Sequence, residues 1–284
     1  MKTPVLLIHG MCCTGEVWGS FRAFFEGRGT RVYTPTLRPE LRTSLRGEPQ
    51  TGLPALRLAD YVSDLVHEAK RIEAETGRKP AVIGHSMGGL LAQALAERDC
   101  VSAAVWISPA PDRTCPDLPF KLFWFGVLLA NALRVAPPVV AVKRKKLDKT
   151  VFNQLPEVDR TAAYAGMVYE SGPAFADMGR YIPNPRKVRV PVLTVAASRD
   201  RLIPPHVVRL VAQKYAAVGG EFREYSGHGH WLYTEPGWER TAGELYAWLA
   251  AATQYLAASE PAPRAQPGLL GEGATFAGSR VTST

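Results

Sequence analysis

Ala81-Val82-Ile83-Gly84-His85-Ser86-Met87-Gly88-Gly89-Leu90 is the stretch around which the chain is organised. A short apolar run reaches Gly84-x-Ser86-x-Gly88 and passes straight into Leu90, Leu91, Ala94 and Leu95, the apolar spacing of a helix. That order predicts a strand, a very tight turn and a helix. Gly84 and Gly88 leave room for the two backbones to cross closely. Ser86 is expected at the apex with its oxygen exposed and its backbone strained, a conformation that costs about 1–3 kcal/mol. A helix beginning at Met87 also points free backbone N–H groups at any charge that develops beside Ser86.

The same alternation continues on both sides of this unit. Val5 to Ile8 is a continuous apolar run, as a buried parallel strand requires, and it ends at His9-Gly10-Met11. Trp18, Phe21, Phe24 and Phe25 give the following helix an aromatic face, and residues 30–34 form the next strand candidate. Residues 35–57 read as a long connection rich in Arg, Pro and Gly. Leu58 to Ala74 carries Tyr61, Val62, Leu65, Val66, Ala69 and Ile72 at helical spacing and stops near Gly77. Further strands are expected at 101–107, 190–196 and 221–225, with helices at 205–217 and 238–256. Strands alternating with helices imply a doubly wound α/β fold with a mostly parallel sheet.

The alternation breaks between Pro109 and Val190. Residues 110–187 hold aromatic and aliphatic clusters, several prolines and a basic run, which predicts an inserted, mostly helical cap on a core made of residues 1–109 and 188–257. Leu118, Phe120, Leu122, Phe123, Trp124, Phe125, Val127, Leu128 and Leu129 fall in this cap, where they either line an acyl pocket or pack the cap on the core. Residues 258–284 have few large apolar side chains and are expected to form a flexible tail.

Composition narrows the function classes. The 284 residues can bury a full core, and 46% apolar content is ordinary for a globular protein. The four cysteines, at 12, 13, 100 and 115, have no metal spacing and no disulfide framework. No apolar stretch reaches the roughly 20 residues of a membrane span, and no export signal is recognisable, so a cytoplasmic location is expected. A formal charge of +8 includes Lys143-Arg144-Lys145-Lys146. That run reads as a solvated surface, with weak contact to anionic lipid as the minor alternative. Aromatic interleaving and nucleic-acid modules are missing, so no nucleic-acid partner is expected. Dinucleotide, P-loop and zinc-protease signatures are missing too, and no cofactor or metal is implied.

A serine becomes a nucleophile when a base takes its proton and a third group orients the base. Six histidines are available, at 9, 67, 85, 206, 228 and 230. His67 and His206 lie on helices and read as surface residues. His9 closes a buried strand, and His85 beside Ser86 reads as structural or pocket-lining. Gly227-His228-Gly229-His230-Trp231 follows the last strand, and carboxyl ends of parallel strands share one edge of the sheet. A histidine from this loop, His228 or His230, can therefore meet Ser86.

With a strand and helix around Gly84-x-Ser86-x-Gly88, and His9-Gly10-Met11 after the first strand, the chain resembles the alpha/beta-hydrolase superfamily over roughly residues 3–256 apart from the cap. The resemblance implies a serine hydrolase that cleaves carboxylic esters of small apolar acyl substrates through an acyl-enzyme. It selects His230 as base, since Gly229-His230-Trp231 fits the family's pattern, with His228 as rival. It selects Asp200, ahead of Leu202-Ile203-Pro204, as the orienting acid, with Asp112 as fallback. The oxyanion donors it implies are the backbone N–H groups of Met11 and Met87. His85, Cys12, Phe123, Trp124 and Trp231 are the remaining pocket candidates. Lipase-like, lactonase, thioesterase and carbon–carbon hydrolase activities share the same triad, and a ligand-binding or scaffold protein is the non-enzymatic alternative.

Overall fold

The computed structural model describes residues 1–259. Its elements in order are β1 (Val5–Ile8), α1 (Gly19–Glu26), β2 (Val32–Tyr33), α2 (Leu58–Thr76), β3 (Ala81–His85), α3 (Met87–Ala96) and β4 (Ala103–Ile107). Then come α4 (Leu118–Ala132), β5 (Val139–Val140), α5 (Arg144–Thr150), α6 (Glu157–Ala165), β6 (Glu170–Ser171) and α7 (Gly172–Met178). The chain closes with β7 (Val192–Ala197), α8 (Pro205–Gln213), β8 (Glu221–Tyr225) and α9 (Trp238–Ser259). Of the tail expected over 258–284, residues 260–284 lie outside the described residues.

Six strands form one sheet in the order β2-β1-β3-β4-β7-β8, and every neighbouring pair is parallel. The central strands are apolar throughout because both faces of the sheet are covered, and the period of two sends alternate side chains to different cores. Leu6, Ile8, Val82, Ala104 and Trp106 join Tyr61, Leu65 and Ile72 of α2, Leu90 and Leu91 of α3, and Val207 and Val211 of α8. Val5, Leu7, Ile83, Val105, Leu193 and Val195 join Phe21 and Phe25 of α1 and Leu245 and Leu249 of α9. The sheet is thus sandwiched between α2, α3 and α8 on one face and α1 and α9 on the other.

Local signals explain the element ends. The buried side of α2 is Leu58, Tyr61, Val62, Leu65, Ala69 and Ile72, and the helix stops at Gly77, whose φ of 70° is the left-handed conformation that glycine adopts without strain. The second strand is shorter than the stretch 30–34 suggested: only Val32 and Tyr33 pair with β1, at the edge of the sheet. The fourth begins at Ala103 and not at Val101. Between β4 and β7 the structure holds α4 to α7 and a two-stranded antiparallel ribbon, β5 with β6, which stays separate from the main sheet. That ribbon was not foreseen, because two-residue strands leave no periodic pattern to read.

Candidate active site

Parallel pairing brings the carboxyl ends of β1, β3, β4, β7 and β8 to one edge of the sheet, and the side chains singled out in the sequence follow those strands. At the tip of β3, Ser86 has φ 56° and ψ −117°, outside the regions favoured by residues with a Cβ. The turn is fixed from both sides: the Ser86 N–H donates to Ile107 O at 3.0 Å, and the Ser86 carbonyl accepts from the N–H groups of Gly89 and Ala110, each at 3.0 Å. A Cβ on Gly84 would sit 2.1 Å from Gly88 O, and one on Gly88 would sit 2.2 Å from Ile8 O. These two glycines allow α3 to leave directly over β1 and β3.

After β7 the chain turns at Asp200, and after β8 it turns at His230; both side chains are buried. Asp200 Oδ1 accepts from the N–H groups of Leu202 and Ile203, both at 2.8 Å, which fixes the carboxylate plane. Asp200 Oδ2 lies 2.7 Å from His230 Nδ1. A carboxylate only accepts, so Nδ1 carries the proton and Nε2 is left with a free lone pair. The Ser86 hydroxyl makes no hydrogen bond to His230 among the described residues. The backbone sets their relation: His85, adjacent to Ser86, donates through Nε2–H to the His230 carbonyl at 2.8 Å. The His85 and His230 ring centroids are 4.5 Å apart. Serine–base hydrogen bonds are often long in unliganded sites and tighten with substrate.

His85 is therefore a support beneath the site. Its ring is buried among His230, Trp231 and Tyr233, and burial together with the charge of His230 lowers its pKa well below that of a free imidazole. Trp231 is likewise buried, against Phe152 and Tyr233. The rival base, His228, faces elsewhere: its Nδ1 lies 3.3 Å from Glu235 Oε2, and its carbonyl accepts from the Arg199 N–H. The fallback acid, Asp112, is bound to Lys214 Nζ at 2.5 Å and caps Thr114.

The backbone N–H groups expected as oxyanion donors, those of Met11 and Met87, have no protein acceptor among the described residues. Met87 opens α3, where the first N–H groups have no partner within the helix. Met11 belongs to the loop after β1, and the shape of that loop has identifiable causes. His9 is buried, donates from Nδ1 to Gly10 O at 2.8 Å and accepts at Nε2 from the Leu37 N–H at 3.1 Å. Burial and the nearby Arg42 charge lower its pKa to about 4, so it is held neutral as this bonding requires. Cys12 has φ 60° and is tied down on both sides: its N–H points at Glu170 Oε2 at 3.4 Å, and its carbonyl accepts from the Val168 N–H at 3.0 Å. Burial first, then Glu170, raises the thiol pKa of Cys12 well above normal and pushes that of Cys13 up to about 12, so neither thiolate forms near neutral pH.

Glu170 is a residue that the sequence did not point to. It is fully buried and collects Arg42 Nη1 at 2.8 Å, the Tyr61 hydroxyl at 2.6 Å and the Ser171 N–H at 2.9 Å, besides Cys12. Arg42 also donates through Nε to Leu37 O at 2.8 Å. Burial opposes the Arg42 charge, and the Glu170 carboxylate more than offsets it, so the guanidinium is held above its ordinary pKa. The cluster locks the segment before α7, the 35–57 connection and the Met11 loop together. Glu235, also buried, holds Gly229 N–H at 2.7 Å just before His230. Glu170 before Ser171-Gly172 and Glu235 between Thr234 and Pro236 sit in polar or turn-like surroundings with no periodic signal, which is why neither carboxylate stood out.

The aromatic candidates of α4 take separate places. Trp124 is buried and donates through Nε1 to Pro111 O at 2.8 Å, next to Ala110, which bonds the Ser86 carbonyl. Phe123 is exposed and touches Phe120, Trp124 and Phe175. Among the described residues, no three His, Cys, Asp or Glu side chains are grouped to hold a metal ion.

With this geometry in view, the sequence pattern of the Alpha/beta hydrolase family matches residues 5–269. The chain belongs to that family. Among solved structures it is similar to a monoacylglycerol lipase from Paleococcus ferrophilus, at 22% identity and a TM-score of 0.65, covering 88% of this chain and 96% of the other. It is also similar to a thermophilic esterase from Thermogutta terrifontis, at 20% identity and a TM-score of 0.64, covering 88% and 90%. A third is tomato methylketone synthase I, solved with 2-tridecanone, at 17% identity and a TM-score of 0.66, covering 89% and 99%. At these identities the likeness is one of fold. Among the described residues, no helix is long and apolar enough to cross a membrane.

Proposed function

We propose that this alpha/beta hydrolase cleaves carboxylic esters through an acyl-enzyme on Ser86, with His230 as general base, Asp200 as its orienting acid and the Met11 and Met87 N–H groups as oxyanion donors. The observation that carries the reading is the 2.7 Å bond from His230 Nδ1–H to Asp200 Oδ2 at the sheet edge where the strained Ser86 lies. It leaves Nε2 unprotonated on the ring held beside the serine turn.

In this reaction Ser86 Oγ bonds to the ester carbonyl carbon while its proton passes to His230 Nε2. The carbonyl oxygen becomes an oxyanion, and the two amides receive it without reorganising, which is the main source of rate in such sites. The imidazolium, stabilised by Asp200, gives its proton to the departing alcohol oxygen as the carbon–oxygen bond breaks. Water then repeats the sequence on the acyl-enzyme, releasing the acid and restoring Ser86. An acyl ester is the bond favoured by a serine at the turn, and the esterase and lipase among the similar folds support it. Residues 110–187 act as the cap that closes over the acyl group, joined to the core through Glu170 and Trp124.

Kinetics with a chromogenic short-chain ester test the assignment. Ser86→Ala, His230→Ala and Asp200→Asn are expected to lose at least about a thousandfold in kcat, because the three act as a unit. His228→Ala and Asp112→Asn are expected to stay within about tenfold of the parent. A dead His228 variant beside an active His230 variant would overturn the choice of base, and the reverse result for the two aspartates would overturn the choice of acid.

A further inference from the structure

We propose that the outer face of α4 is a docking surface for a bilayer bearing anionic lipid headgroups. The helix is apolar on both sides, yet the described residues cover only one of them. Phe120, Trp124 and Val127 turn inward onto the core. Leu118, Leu122, Phe125 and Leu129 recur at i, i+4, i+7 and i+11, and Leu133 follows in the next turn, so the five form one stripe along the opposite side. Leu118 and Leu133 are each 64% exposed, Phe125 65% and Leu122 61%. A helix that is apolar all round normally lies inside a core or in lipid, and scattered surface leucines need no explanation, but an unbroken stripe on one helix does.

The charges beside the stripe select the occupant. From Leu118 to Val135 the only charged residues are Lys121 and Arg134, both cationic, and neither is in an ion pair among the described residues. Arg180 is held against the same helix by its bond to Asn131 Oδ1 at 2.7 Å and is also paired with Asp177. The nearest acid in sequence, Asp117, is occupied with the Phe120 N–H and with His206 Nε2. A second copy of a chain with net charge +8 would bring like-charged rims together, whereas an anionic headgroup layer takes both the stripe and its cations. Fifteen residues of helix extend about 22 Å, short of the hydrocarbon thickness of about 30 Å, so the helix lies in the interface and does not span it. This docking does not depend on the esterase reading, since it concerns a face that carries none of the proposed reacting groups.

Vesicle flotation tests it with the full-length chain. The parent is expected to float with phosphatidylcholine vesicles containing phosphatidylglycerol, far less with phosphatidylcholine alone, and to be released as salt rises. Combining Leu122→Ser, Phe125→Ser and Leu129→Ser is expected to weaken partitioning by about tenfold or more, with the cooperative thermal unfolding of the chain retained. Lys121→Glu with Arg134→Glu, both exposed, is expected to remove the preference for the anionic lipid, and this pair decides the matter if the serine variant fails to fold. A parent that does not float, or charge variants that float as well as the parent, would overturn the proposal. So would a parent that is dimeric by light scattering, fails to bind vesicles and becomes monomeric in the serine variant, since the stripe would then meet a second copy.

Discussion

Replacing Glu170 by Leu removes the acceptor from a buried cation. Arg42 and Glu170 are 1% and 0% exposed at their side chains, and their 2.8 Å contact is supported by the Tyr61 hydroxyl and the Ser171 N–H on the same carboxylate. The loss has two parts, an uncompensated guanidinium and three hydrogen-bond donors left without this acceptor, the Tyr61 hydroxyl and the N–H groups of Ser171 and Cys12. Removing one partner of a buried pair costs about 3–5 kcal/mol, whereas exchanging both for apolar groups of similar volume is often neutral. Glu170→Leu is therefore expected to lower the unfolding free energy by about 3–5 kcal/mol, a fall in Tm on the order of 10 °C. Arg42→Met added to it is expected to recover most of that loss, leaving chiefly the stranded Tyr61 hydroxyl, at about 1–3 kcal/mol. Urea denaturation of the parent, both single variants and the double variant closes the cycle. A single Glu170→Leu cost below about 1 kcal/mol, or a double variant equal to the sum of the singles, would refute the buried-pair reasoning.

Gly88→Ala is expected to prevent folding or to cost more than about 4 kcal/mol, because the new Cβ meets the backbone oxygens of Ile8 and His9 at 2.2 and 2.6 Å. Gly126→Ala, in α4 with nothing within 4 Å of its Cβ, is expected to stabilise by about 0.5–1 kcal/mol; thermal melts of the two variants check both. His9 sets an acid limit on stability. Its pKa falls from 6.5 to about 4 on folding, so between those values the unfolded chain binds a proton that the native chain refuses. Stability is then full above pH 6.5 and is lost as pH falls toward 4, by about 3 kcal/mol from this residue. His85, also lowered, acts in the same direction. His9→Gln is expected to flatten the slope of unfolding free energy against pH in that window, and an unchanged slope would show that His9 is not the group responsible.

The sheet was legible in the sequence because parallel strands covered on both faces are continuous apolar runs. Val5–Ile8, Ala81–Ile83 and Val192–Ala196 could hardly be anything else once helical spacing followed or preceded each. Ser86 was legible for a related reason: two glycines two residues either side of a serine, between a strand and a helix, encode a close crossing. His228 and His230 could not be told apart by spacing, since both follow the same strand; the family pattern favoured His230, and the fold puts that ring against Asp200. What stayed hidden depends on contacts between distant segments. Arg42, Tyr61 and Glu170 come from a loop, a helix and a two-residue strand, and nothing local marks any of them as buried partners. The outer stripe of α4 was misjudged in the other direction, since Leu118, Leu122, Phe125 and Leu129 have the composition of pocket or core residues and only the fold places them on the surface.

The most direct test of the proposed chemistry is covalent capture of the nucleophile. The full-length protein is treated with an alkyl fluorophosphonate, and the adduct is located by peptide mass spectrometry. One adduct per chain is expected, on Ser86, with ester hydrolysis lost in step. Labelling should be absent in Ser86→Ala and strongly slowed in His230→Ala. Stoichiometric labelling at any other residue, or full hydrolytic activity surviving in Ser86→Ala, would contradict the assignment of Ser86.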